Sequence, residues 1–476
     1  AGNEVYRKDI TTQAQKQLKN ATYTIRTSDL PELTNMKWAI EVQGDKINSL
    51  ARVNDVNSVG TYGFNRPQGV AIDNNPESDF FGRMYIALPK AGGSSKTYGA
   101  YGDTKAGIVV FDAVHNRLAS GITATGSVLG NETYGVHRVA VNPVDGKVYY
   151  TKSIASNTAI YELTPDATNV LSDEGTAKNV ISGMSTITNA NSLCFDKDGA
   201  MYVLGNADYD VNTDTYTGKI YKVKNGTISE FTKEYYRWAS KDNSIVSDNR
   251  GGFWVAQQRT NFDACDVLAH VNSNGERDYR ITKTINNTLL PTKTNGTNVN
   301  ASYRGQVAYY TIDNSNGILA FGGGGKVSVF KVTYNASGVP TLTTWQTISL
   351  ISSSWDANVD GLAFDYAGNL VVMSATDERL GLYALPTDNN SCTTPAKSSL
   401  QVNGPATCRV MPHDLTLVDN GDSYTFSYKT NVYAQSGNLV IFKEDGKTVE
   451  KTFALPTPIV KNKIHQITIA KTDLPK

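Results

Sequence analysis

The sequence predicts an all-β protein: a six-bladed β-propeller with β-sandwich material at both termini. Three observations lead there. Six segments repeat one strand–turn–strand pattern, the two ends of the chain resemble each other, and the composition suits strands and turns. Of the 476 residues only 19% are charged, below the usual quarter. Neutral polar residues fill the deficit, as they do in extracellular β-proteins rather than in helical cytosolic enzymes.

Each repeat has a polar anchor, alternating apolar residues, Asp or Asn five positions on, a Gly, and a second apolar strand. The first strands read QGVAID from Gln68, HRVAVN from His137, NSLCFD from Asn191, NSIVSD from Asn243, AYYTID from Ala308 and DGLAFD from Asp360. The second strands are RMYIALP, KVYYTKS, AMYVLGN, GFWVAQQ, ILAFGGG and NLVVMSA, and third strands from GIVVFD to LGLYAL follow. Alternation with a period of two marks a strand, and Asp/Asn with Gly marks a tight turn. Anchor spacings of 52 to 69 residues exceed the roughly 40–50 that a four-stranded blade needs, so the blades carry loop insertions. One small sheet cannot bury both faces, whereas a closed ring of sheets can. The ring is assigned to 45–395. Its closing outer strand is expected in INSLARV (Ile47–Val53), and a seventh, partial blade is the structural alternative. GGGGKVS (Gly322–Ser328) has the glycines of a phosphate loop, but Val327 stands where Ser or Thr should follow the Lys. It reads as a hairpin turn.

The ends form a second repeat. Residues 2–31 align without gaps with 446–475, and eight of the 30 positions are identical, including Thr24, Ile25, Asp29, Leu30 and Pro31 with their partners. The module at 396–476 has the upstream strands SYTFSYKT and GNLVIFKE and lacks its last strand. The partial module at 1–44 lacks those upstream strands but runs on into MKWAIEVQ. Three arrangements account for this. The chain is a piece of a longer protein, or MKWAIEVQ completes the C-terminal module in cis, or it does so from a neighbouring molecule. A sandwich short of one strand exposes an unpaired edge that strand donation satisfies.

Charge and hydropathy exclude whole classes. Forty-five basic residues balance 45 acidic ones, which argues against a phosphate-backbone binder and so against nucleic acid. No apolar run reaches the roughly 18 residues of a membrane helix. The four cysteines form no C-x-x-C pair. Cys392 and Cys408 flank a linker rich in Pro, Ser and Thr, and a disulfide between them suits an exported chain. Cys194 sits in an apolar strand and reads as a small buried hydrophobe.

RPQGVAID, ANSLCFDKDGAMYV and VDGLAFDYAGNLVV resemble the blade starts of NHL-type and gluconolactonase-like six-bladed propellers. The terminal module YTFSY…TDLP, with ERLGLYALPTDNNSCTTPA, is similar to secreted Bacteroidetes proteins. Those flank such a propeller with Ig-like modules of the flagellar-hook-cap type. The resemblance implies a secreted or cell-surface protein and is specific for architecture; superfolds host many functions.

The anchors are expected to ring one mouth of the channel as ligand-binding residues: Gln68, His137, Asn191, Asn243 and Asp360, with Ala308 in the fifth unit. In lactonase-like propellers a Glu, an Asn and an Asp hold a divalent metal there. Asn191 and Asp360 match the Asn and the Asp, but the first-blade anchor is Gln68 rather than Glu. One carboxylate among neutral groups holds a hard cation weakly. A second candidate is the ladder Asn206, Asp208, Asp210, Asn212 and Asp214, whose alternate oxygens resemble a calcium loop. It lacks the turn Gly, and Lys219 stands at the twelfth position from Asp208. Calcium is therefore the candidate cofactor at either place. No G-x-S-x-G element accompanies the five scattered histidines, so a serine-hydrolase triad has no support. KTYGAYGD, KEYYRWAS and Trp355 place aromatics in loops, where they suit stacking on sugar faces.

The expected function is an extracellular binding or scaffold protein whose propeller recognises a ligand, glycan in class, or a surface protein. One alternative is a metal-dependent lactonase-like hydrolase. Another is a structural subunit of a surface assembly, homo- or hetero-oligomeric, joined through its Ig-like ends.

Overall fold

A computed structural model of the chain describes residues 22–23, 32–44, 69–88, 107–111, 136–152, 159–166, 170–171, 178–182, 187, 189–205, 209–210, 215–216, 218–233, 243–257, 266–282, 284–290, 305–312, 314–323, 326–349, 359–366, 370–374, 379–383, 402–403, 412–430, 434–445 and 448–475. It is all-β apart from short 3-10 turns. Among these residues no helix is long and apolar enough to cross a membrane.

Among the described residues, six sheets follow one another along the chain, their first three strands antiparallel in chain order. Their first strands are Val70–Ile72, Val136–Val141, Ser192–Phe195, Ser244–Ser247, Gln306–Thr311 and Gly361–Phe364. Each touches the next, and Gly361–Phe364 touches Val70–Ile72, so the cycle closes. This is a propeller, and the sheets are numbered below as blades 1 to 6 in chain order. The second strands are those read from the sequence, Met84–Leu88, Val148–Lys152, Met201–Gly205, Phe253–Ala256, Asn316–Gly323 and Leu370–Ser374. The glycine run of blade 5 is a hairpin, with Gly323 paired to Lys326.

Packing between blades explains the ring. Tyr85 and Ile108 of blade 1 share a core with Val136, Val148 and Tyr150 of blade 2. Trp254 and Leu268 of blade 4 share one with Leu319 and Phe330 of blade 5. Blades 2 and 3, 3 and 4, and 5 and 6 are joined in the same way. Each such side chain contributes about 1.5–3 kcal/mol by leaving water. A blade alone would leave both of its apolar faces open to water.

In blades 1 to 4 the Asp or Asn of the repeat is a turn device. Asp196 Oδ1 accepts from the backbone N–H of Asp198 (3.0 Å) and Ala200 (2.8 Å). Asp248 Oδ1 does the same with Arg250 (2.7 Å) and Gly252 (2.9 Å). Asn142 Oδ1 accepts from Val144 (2.9 Å). A short side-chain acceptor two residues upstream closes an Asx turn. Gly199, at φ +78°, supplies the left-handed residue that the turn needs. Blade 5 departs from the repeat. There Ile312 N–H donates to Asn316 O in the place the Asp holds elsewhere. Its unit therefore starts earlier than the alignment on Ala308 implies, and Ala308 lies inside the strand rather than at its head.

Ile47–Val53, the expected closing strand, lies outside the described residues. Val402–Asn403 pairs parallel with Arg379–Tyr383 on the outer side of blade 6.

The last unit is two sheets on one core. One sheet pairs Pro412–Asp419, Ser423–Thr430 and His465–Ala470. The other contains Ala434–Lys443 and Val449–Ala454, and the chain's own Met36–Gly44 pairs antiparallel along Ala434–Lys443. Alternate residues of that N-terminal strand, Trp38, Ile40 and Val42, enter the core with Phe426, Tyr428, Leu439 and Ile441. Trp38 meets Phe426 edge-on at 5.0 Å. The edge that a neighbouring molecule would fill is thus occupied in cis. Of the N-terminal copy of the end repeat only Thr22–Tyr23 is described, and it pairs with the outer side of the same strand.

This unit docks on the propeller. Lys429 Nζ lies 3.0 Å from Glu77, Lys461 pairs with Asp79, and Asn462 faces the Glu77 carbonyl at 3.5 Å. Glu77 and Asp79 belong to the turn that follows the first strand of blade 1.

Candidate functional site

The first strands enclose a channel of about 370 Å³. Its wall is mostly apolar, with Ala71, Ala140, Cys194, Val246, Ala308 and Ala363 among the lining residues. Polar groups gather at its ends. Burial pushes the Cys194 thiol well above its ordinary pKa, so it stays neutral.

At the anchor end, His137, Asn191, Asn243 and Asp360 stand at the heads of blades 2, 3, 4 and 6. They are buried, with exposures of 3, 9, 0 and 0%. The backbone explains it. Asn191 N–H donates to Leu204 O (2.9 Å) and Asp360 N–H to Met373 O (2.8 Å), so each anchor is the first rung of its ladder, inside the sheet. Asn191 and Asp360 sit on blades 3 and 6, opposite one another in a ring of six. Gln68 lies outside the described residues, as do Asp208, Asp214, Cys392 and Cys408. Asp210 falls in a short hairpin, paired with Thr215. The loop aromatics of KTYGAYGD and Trp355 also lie outside the description, as does KEYYRWAS beyond its first Lys.

The structure brings forward three residues that the repeat did not single out. Arg138 reaches from blade 2 across the ring. Its Nε (3.1 Å) and Nη2 (3.0 Å) both donate to the Asn243 carbonyl of blade 4. Gln257 ends the second strand of blade 4. It is one position beyond Ala256, the partner of Ser244 in the ladder, and Asn243 is one position before Ser244. Gln306 opens blade 5. Val307 N–H donates to Ser244 Oγ at 3.4 Å, and a Cβ on Gly305 would stand 2.6 Å from Gln257 O, so the blade 4–5 seam is closed at this point. Three residues with primary carboxamides therefore stand at one end of one seam.

These amides are buried and under-bonded. Both polar atoms of Asn243 and Gln257, and Nε2 of Gln306, have no hydrogen-bond partner. Each such orphan costs about 1–3 kcal/mol, and native proteins meet such groups with ordered water or a ligand. A carboxamide offers one donor group and one acceptor and carries no charge. The set is built for neutral polar matter.

Blade 4 holds a second polar chain. His270 Nε2 lies 3.0 Å from Asp248 Oδ2, and Nδ1 lies 2.6 Å from Asp278 Oδ1. Burial works against the imidazolium, but the bonds from Asp248 and Asp278 outweigh it and the pKa is raised. Trp254 packs on the ring at 4.8 Å. The Asp248 end of this chain closes the Asx turn, which makes it a structural clamp between strands. Asp73 is the counterpart in blade 1, and burial pushes its pKa up to about 6 against hydrogen bonds from Ser78 and Asn75.

Among the described residues, one group of three His, Cys, Asp or Glu ligand atoms converges, and it lies away from the anchor end, at Glu77, His413 and Asp414.

No protein-family model matches the chain, and no curated protein matches it in sequence. Solved structures give remote likenesses. The soluble aldose sugar dehydrogenase of Escherichia coli has a TM-score of 0.40 at 13% identity, over 66% of this chain and 94% of that one. The periplasmic gluconolactonase of Pseudomonas aeruginosa has a TM-score of 0.36 at 13% identity, over 80% and 98%. The calcium-binding regucalcin of Agrobacterium tumefaciens has a TM-score of 0.35 at 12% identity, over 74% and 96%. Likenesses this remote carry no functional argument.

Proposed function

We propose that the propeller is a recognition module for a neutral, hydroxyl-rich ligand, a glycan in class, bound at the anchor end of the channel. The observation that carries this is the set of five buried amide atoms without partners on Asn243, Gln257 and Gln306. Adjacent sugar hydroxyls alternate donor and acceptor, and carboxamides return the same alternation without charge. A carboxylate or phosphate ligand would call for cations in place of amides. Arg138 already spends two donors on the Asn243 carbonyl, and so holds the blade-4 anchor in position from the far side of the ring. On this reading the protein works outside the cell or at its surface. The two-sheet unit then serves as a spacer or joint.

The test is a glycan array followed by calorimetry on the best binder. Asn243→Ala and Gln306→Ala are each expected to weaken binding at least about tenfold, the effect of leaving buried partners unpaired. Binding that ignores both changes overturns the assignment, as does an array with no binder. Turnover of a lactone that is lost in Asp360→Ala would replace it with the hydrolase reading.

A further inference from the structure

We propose that Glu77, His413 and Asp414 form a binding site for a transition-metal ion of the zinc class, at the seam between the propeller and the two-sheet unit.

Local structure makes the site. His413 and Asp414 are consecutive at the start of Pro412–Asp419, and in a regular strand their side chains would face opposite ways. Here the register slips between His413 and Thr416, and Asp414 takes φ +52°. That irregularity lets neighbouring side chains share one side. Glu77 arrives from blade 1. Its turn is held by Asn75 Oδ1, which accepts from Glu77 N–H at 2.9 Å, and by Ser78 Oγ donating to Asp73 Oδ2 at 2.5 Å. One ligand atom from each of the three residues lies within 4.8 Å of the others.

A second observation is independent of the acidic pair. The His413 side chain is 1% exposed, yet neither ring nitrogen has a hydrogen-bond partner. Its Nδ1 lies 3.6 Å from Asp414 Oδ2, beyond hydrogen-bond reach. A buried imidazole without a partner is costly, and metal coordination satisfies it. Imidazole with carboxylates suits zinc and its transition-metal neighbours, whereas calcium and magnesium prefer oxygen alone. Three protein ligands leave a fourth position open. A cavity of about 450 Å³, lined by His413 and Asp414 with Asn74, Asn249, Tyr310 and Tyr366, lies beside it.

Lys429 is the occupant to be displaced. Its Nζ stands 3.0 Å from Glu77 Oε1 and 3.0 Å from Asp414 Oδ2, bridging the two carboxylates. The side chain is a quarter exposed and can withdraw to solvent. The metal would then link a propeller turn to the two-sheet unit, and its binding would stiffen that joint.

The experiment is zinc titration by calorimetry on the chelator-stripped full chain, with zinc chloride as the sole ligand. One zinc per chain is expected, undisturbed by excess calcium. Glu77→Gln should weaken binding at least about tenfold, as loss of one of three ligands demands. Lys429→Met should tighten it several-fold, because the competing cation is gone. Zinc should raise the melting temperature of the native chain and leave that of Glu77→Gln unchanged. If His413→Gln fails to fold, the exposed Glu77 and Lys429 variants decide alone. Absence of saturable binding overturns the proposal. So does binding that Glu77→Gln leaves intact, which marks an adventitious ion only.

Discussion

At the scale of single residues, the molecule relies on buried polar groups that are matched in some places and left open in others. The Asp248–His270–Asp278 chain is matched. Its histidine has a folded-state pKa above the ordinary value. The stability it contributes is therefore full below the unfolded pKa and is lost as pH rises through the folded one. Asp73, raised to about 6 by burial, acts in the same direction over a lower window. Its protonated form is favoured in the folded state, and a shift of this size corresponds to about 3 kcal/mol, gained as pH falls through roughly 6 to 4. We expect the melting temperature to climb as pH falls toward the ordinary histidine value of about 6.5, and the climb to flatten in His270→Gln. A native profile that is flat or falls over that window contradicts the assignment. Asp248→Ala also removes two turn bonds and leaves His270 short of a partner, so it should destabilise by about 1–3 kcal/mol, measurable by urea unfolding. These residues were legible as types but not as roles. The sequence marks Asp248 as a repeat position, while the contact to His270 needs the third strand of the blade to be folded beside it.

At the scale of elements, strand identity was readable almost without tertiary help. Alternation and Asx-turn chemistry located all six first strands, the fifth with its alignment one residue out, and all six second strands. The exception is informative. In blade 5 the Asp of AYYTID is one residue late for the turn, and Ile312 takes its place. Pattern matching follows the Asp; the ladder follows the backbone bonds. The N-terminal strand Met36–Gly44 is the other lesson. Its amphipathic alternation was visible, but its partner stands some 400 positions away in the chain and is chosen by the shared core. Trp38→Ala should leave a large cavity there and cost about 3–5 kcal/mol, as an early unfolding transition of the two-sheet unit. The near-ultraviolet signal of the propeller should persist through that transition. Joint unfolding of both units would mean that the seam at Glu77 and Lys429 couples them more tightly than surface ion pairs do.

At the scale of the whole molecule, ring closure decides what the anchors are. In a lone sheet His137, Asn191, Asn243 and Asp360 would be turn residues open to water. With six sheets closed into a cycle they are the buried heads of the ladders, and Arg138 can span from blade 2 to blade 4 only because the blades face one another. Arg138→Ala should release the Asn243 carbonyl. The same glycan calorimetry should then show weakened binding with a melting temperature lowered by only a few degrees. Unchanged affinity would separate the arginine from the site.

The sequence by itself determined the all-β class, the repeated sheets and the turn positions, because periodicity and Asx chemistry are local and act within a few residues. It also determined that the net charge is zero, since charge is a sum over composition. Tertiary structure alone decided that MKWAIEVQ completes the two-sheet unit in cis, which amides are left without partners, and that Glu77 meets His413 and Asp414. Each of these depends on groups from distant parts of the chain arriving within a few ångströms, and burial is a property of that arrival rather than of any residue.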